Sequence, residues 1–123
     1  MATFTRFEEI DAWKIARHLT NSIYKLTNAK SFSYDYALKD QIRRAAISIM
    51  SNIAEGYGRR TNQEFIRFLN IANASAFEVK SQLYIAFDQH YINEDIFKTQ
   101  SELCDQICKK IGGLTNYLRS QSS

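Results

Sequence analysis

The sequence contains no proline and only four glycines in 123 residues. Folds rich in strands and tight turns use these residues at their corners. Their scarcity favours long helices joined by a few short turns. Cysteine is nearly absent too. Cys104 and Cys108 lie four residues apart, the spacing of one helical face rather than of a disulfide framework. No apolar run approaches the roughly 20 residues that span a bilayer. The opening residues Met1 to Arg6 contain no apolar signal core. The expectation is a single cytoplasmic domain over residues 1–123, large enough to bury a core without staples.

What is present is ordinary globular material, with 45% hydrophobic and 24% charged residues. The net charge is +3, and its distribution says more than its size. Residues 39–67 carry six cations (Lys39, Arg43, Arg44, Arg59, Arg60 and Arg67) against three acids (Asp40, Glu55 and Glu64). The rest of the chain is close to balanced. Five of those six cations are arginine, whose planar fork suits phosphate and carboxylate oxygens. This is a local basic bias, well short of a dedicated nucleic-acid tail.

Helical periodicity divides the chain into four. A first helix is expected from about Glu8 to Thr27, through Ile10, Trp13, Ile15, Leu19, Ile23 and Leu26. Residues Asn28 to Ser33 read as a loop, with Ser33 as an N-cap and Asp35 in the next first turn. A second helix follows from Tyr34 to Tyr57, its end weakened by Gly56 and Gly58. Thr61-Asn62-Gln63-Glu64 has the form of a capping box and starts a third helix that runs to about Gln89. Asn93 caps a fourth, with Ile92 and Phe97 as a hydrophobic staple. Connections this short make neighbouring helices antiparallel, so the expected fold is an all-α, antiparallel up-down four-helix bundle. Gly112-Gly113 inside the fourth helix costs about 1 kcal/mol per residue relative to alanine, with no evident return in the sequence.

Two helices are apolar over too wide an arc. On the second, Ile42, Ala45, Ala46, Ile47, Ile49, Met50, Ile53, Ala54 and Tyr57 spread over roughly 200°, where one core stripe needs about 100°. On the third, Phe65 to Ala86 form a tight stripe, and Ile66, Asn73, Phe77 and Tyr84 form another beside it. Either these two helices are more buried than their neighbours, or the second surface joins subunits. The polar residues Ser48, Ser51, Asn52 and Glu55 also fall along one side of the second helix. Short polar residues gain little in mid-helix. They are candidates for hydrogen bonds to another helix, with Ser75 and Glu78 as partners. Glu55 and Arg59 are in addition an i, i+4 pair.

The stretch from Gln41 to Arg60 reads Gln-Ile-Arg-Arg-Ala-Ala-Ile-Ser-Ile-Met-Ser-Asn-Ile-Ala-Glu-Gly-Tyr-Gly-Arg-Arg, and Phe65 to Ala72 and Ser75 to Glu78 follow it. These segments resemble the bacterial four-helix bundle proteins encoded by intervening sequences of 23S ribosomal RNA genes, also labelled S23-type. The accessory variability protein of diversity-generating retroelements is a relative. The resemblance extends to Trp13 and to Leu83–Ile92, and so covers nearly the whole chain. This sequence departs from the family habit at Met50, where proline is usual, and at Ala74, where glycine is usual. The resemblance implies an up-down bundle, a ring-shaped homopentamer, a role with nucleic acid and no enzymatic activity.

The residues themselves supply no catalytic constellation. His18 and His90 have no flanking ligand pattern. Cys104 and Cys108 offer two metal ligands where zinc needs four. The Glu-x-x-His unit of di-metal bundles is absent, and so are the later glycines and lysine of a phosphate loop after Gly56. No metal and no cofactor are expected. The leading expectation is an oligomer that contacts RNA or DNA through Arg43, Arg44, Arg59, Arg60 and Arg67. The alternative is a protein-interaction scaffold, possible partner to a nucleic-acid enzyme, whose arginines serve salt bridges between subunits.

Overall fold

The computed structural model describes residues 4–121, and among these every regular element is helical. A single 3-10 turn, Phe7–Glu9, precedes α1 (Asp11–Thr27), α2 (Lys30–Ser33), α3 (Tyr36–Tyr57), α4 (Asn62–Asp88) and α5 (Glu94–Ser120). The four long helices enclose one core. Helix α1 packs on α3 and α5, and α4 packs on α3 and α5.

Each of the three longest helices starts on a side-chain cap. Asp35 accepts from the Leu38 amide at 3.1 Å, Thr61 from Glu64 at 3.1 Å, and Asn93 from Ile96 at 2.8 Å. Each satisfies one of the amides a helix start leaves orphaned. The capping box at Thr61 is therefore half-formed. The Glu64 carboxylate turns away to Arg67 instead of returning to the Thr61 amide.

Two boundaries differ from expectation. The first helix does not begin at Glu8. Glu9 accepts from the Thr5 amide at 3.0 Å and the Thr5 hydroxyl at 2.8 Å, which closes a separate turn. Ile10 then runs extended into the core before α1 starts. The loop after α1 contains the one-turn helix α2, which swings Phe32 inward to stack on Tyr91 at 5.0 Å. The cap of α3 is accordingly Asp35, not Ser33. Its second carboxylate oxygen accepts from the Tyr91 hydroxyl at 2.9 Å.

The buried stripe of α4 runs through Phe65, Phe68, Leu69, Ala72, Ala76, Val79, Leu83 and Ala86, the tight stripe of the sequence pattern. On α3 the buried side is Leu38, Ile42, Ala45, Ala46, Ile49 and Ile53. Gly56 continues this line rather than ending the helix. A Cβ there would sit 2.7 Å from the Phe68 Cβ and 3.0 Å from the Phe65 ring. Glycine is what lets α4 approach so closely.

Candidate nucleic-acid interface

The five candidate arginines fall into two groups at opposite ends of α3. Arg43, near its start, is turned inward across the α1–α3 seam. Its Nε donates to the Thr27 hydroxyl at 2.8 Å, and its Nη2 donates to Asn28 Oδ1 at 3.0 Å and to the Tyr24 carbonyl at 3.4 Å. The guanidinium also lies 4.2 Å from the Tyr24 ring centroid. Its Nε and Nη2 groups hold the end of α1. Arg43 thus has a structural role between α1 and α3. Arg44 points outward and pairs with Asp40 at 2.8 Å. That hydrogen bond raises the pKa of Arg44 above its ordinary value.

Arg59, Arg60 and Arg67 gather at the α3–α4 turn. The guanidiniums of Arg59 and Arg67 lie 4.7 and 4.4 Å from the centroid of the same Phe68 ring. A cation over an aromatic face is held electrostatically and by packing. Each also has a carboxylate partner, Glu55 at 3.0 Å for Arg59 and Glu64 at 3.2 Å for Arg67. The Arg67 hydrogen bond lowers the Glu64 pKa below its usual value. Arg60 is exposed and has no ion-pair or hydrogen-bond partner among the described residues. Beside it, a groove of about 230 Å³ is floored by Tyr57, Phe65 and Leu118.

The polar residues of α3 divide as well. Ser48 meets Ser75 at 2.8 Å across the α3–α4 seam. Asn52 Nδ2 donates to Ser48 Oγ at 3.0 Å and to its carbonyl at 2.8 Å, and Ser75 donates to the Ile71 carbonyl at 3.1 Å. A hydroxyl has one proton. The chain therefore runs one way, from Asn52 to Ser48, to Ser75, to the backbone of α4. Ser51, Glu55 and Glu78 do not join it. Ser51 is exposed, Glu55 turns to Arg59, and Glu78 accepts from Gln82 on its own helix at 3.3 Å. Their expected role between helices is corrected: the helical rotation carries all three out of the seam.

Sequence reading missed the aromatic platforms. Tyr24 lies 19 residues from Arg43 and carries no local signal. Phe68 was visible only as a core residue. Among the described residues no group of three potential metal ligands forms, and no helix is long and apolar enough to cross a membrane. Burial pushes the Cys104 thiol up to about 12 and also raises Cys108. Neither offers much thiolate near neutral pH.

The fold and the arginine turn define an all-helical protein with a basic, aromatic-backed corner. Residues 8–113 match the family model described as 23S rRNA-intervening sequence protein, and the chain belongs to that family. A crystal structure of a protein with unknown function from the S23 ribosomal protein family of Bacteroides thetaiotaomicron is similar. It aligns with a TM-score of 0.79 at 21% identity, over 85% of this chain and 95% of that one. At that identity the shared property is the fold. No curated protein matches the chain.

Proposed function

We propose that this protein is a non-enzymatic bundle that assembles with copies of itself and presents its α3–α4 turns to the phosphates of RNA or DNA. The observation that carries this reading is a set of exposed apolar side chains on α4. Phe77 is 59% exposed, Tyr84 52%, Ile85 46% and Ile71 40%. Phe77 and Tyr84, seven residues apart, share one side of α4, and apolar exposure of this kind marks a contact surface. Ile71 sits one turn from Arg67, so exposed apolar surface also adjoins the basic turn.

One turn by itself is weakly basic, because Glu55 and Glu64 offset two of its three arginines. Repetition around a ring would multiply it, and phosphate affinity grows with the number of charges engaged. A homopentamer is the ring size that the family resemblance suggests, and a cytoplasmic location accompanies that reading. We also read the bundle as up-down and antiparallel. In support, Asn62 at the start of α4 donates to the Leu118 carbonyl near the end of α5 at 3.4 Å. Asp35, ahead of α3, bonds Tyr91, just after α4. A kinship with the retroelement accessory protein belongs to the same proposal.

The test joins sedimentation velocity with nucleic-acid binding across a salt series. The expected result is an oligomer that retards RNA or DNA at low salt and releases it steeply as salt rises. A monomer at micromolar concentration defeats the assembly. Unchanged binding by the Arg59→Glu, Arg60→Glu double variant defeats the phosphate surface.

A second reading has its own observation. Arg44, Arg59 and Arg67 each already hold a carboxylate within 3.2 Å. They could equally serve a scaffold that docks a protein partner, such as a nucleic-acid enzyme. A pull-down that survives nuclease treatment would favour this reading.

A further inference from the structure

We propose that the groove between α1 and α5 binds a small amphipathic anion, an alkyl carboxylate of medium chain length. It lies across the bundle from the α3–α4 seam, so assembly through α4 leaves it open. Two observations meet there.

The first is Gly113. A Cβ added at Gly113 would meet nothing within 4 Å, and the same holds at Gly112. Packing within the chain therefore does not require either glycine. What Gly113 does is leave the α5 wall of the groove bare.

The second is the groove itself. Its volume is about 630 Å³, within the roughly 300–1,000 Å³ of small-molecule sites. Phe4, Ile10, Ile15 and Leu114 give it an apolar lining. Its charged residues are Lys109, Lys110 and Asp11, an excess of one cation. Lys110 reaches Asp11 at 3.6 Å, and Lys109 has no ion partner among the described residues. An apolar channel with a cationic rim suits a chain with one anionic head.

The test titrates decanoate, below its micelle threshold, into protein labelled with nitrogen-15. Saturable shifts are expected at the amides of Ile15, Gly113 and Leu114. Gly113→Leu, which fills the groove from an open helical position, should weaken binding by about tenfold or more. Gly112→Leu, its neighbour on the other side of α5, should leave binding unchanged. Wild-type protein should prefer decanoate to decanol, and Lys109→Ala with Lys110→Ala should abolish that preference. Circular dichroism confirms that each variant is folded. The proposal is overturned if decanoate does not saturate or if Gly113→Leu binds as wild type. It is also overturned if the two glycine variants lose binding equally. Pelleting with phosphatidylglycerol vesicles, without decanoate binding sensitive to Gly113→Leu, would overturn it in favour of a membrane surface.

Discussion

Arg43 and Arg60 come from one short basic segment and stand near opposite ends of α3. Arg43 makes three hydrogen bonds and lies on Tyr24. Arg60 makes none among the described residues and stands in solvent. Between these extremes, Arg59 and Arg67 lie over Phe68 and are each paired with a glutamate. An arginine's residue type says little about its use. What decides is whether neighbouring helices bring acceptors to it. At the α1 end, Thr27, Asn28 and the Tyr24 carbonyl supply them. At the α3–α4 turn only carboxylates in open water are at hand, and such pairs are easily exchanged for phosphate.

The comparison can be broken most forcefully at Gly56. A valine there would force Phe68 and Phe65 away from α3. The expected cost is about 1–3 kcal/mol in denaturant unfolding, together with loss of the platform under Arg59 and Arg67. Unchanged stability would mean that the close approach is not needed.

Arg43→Ala comes next. Losing its hydrogen bonds should destabilise the fold by about 1–2 kcal/mol, while nucleic-acid binding by folded protein stays unchanged. Arg43→Lys should not restore stability, because one ammonium cannot reproduce the forked contacts. If Arg43→Ala instead weakened binding at full stability, the division between the two ends would fail.

The Ser48–Ser75 contact is smaller. A double-mutant cycle with Ser48→Ala and Ser75→Ala should give a coupling of about 1 kcal/mol, as a directed hydroxyl pair between helices predicts. No coupling would show that solvent satisfies both groups equally well.

The smallest effects on stability belong to the exposed turn. Arg60→Ala should leave the unfolding curve in place but lower the salt slope of nucleic-acid binding by about one phosphate contact. Glu64→Gln should act in the opposite direction and strengthen binding, because it frees Arg67 from its partner. Opposite signs from these two neighbours would sharpen the contrast with Arg43; equal signs would remove it.

Much of the fold was legible in the sequence because helical signals are local. The 3.6-residue stripe of α4, the cap at Asn93 and the Thr61 start are each read within one or two turns. The errors came where a distant residue decided the outcome. Asp35 displaced Ser33 as a cap because Phe32 had to reach the core and stack on Tyr91, 59 residues away in the chain. The candidate site was legible as a cluster of arginines but not as a division among them. Of the four polar residues on one side of α3, only Ser48 and Asn52 belong to the chain that reaches Ser75.

By itself, then, the sequence determined the number of long helices, the main buried stripe of each and the concentration of arginine between Arg43 and Arg67. These follow from spacing and composition along neighbouring residues. The tertiary structure alone decided which arginine is tied to a neighbouring helix, why Gly56 is a glycine, and that Gly113 opens a groove rather than closing a contact. Each of these depends on what another helix places within a few ångströms, and nothing in local periodicity records that.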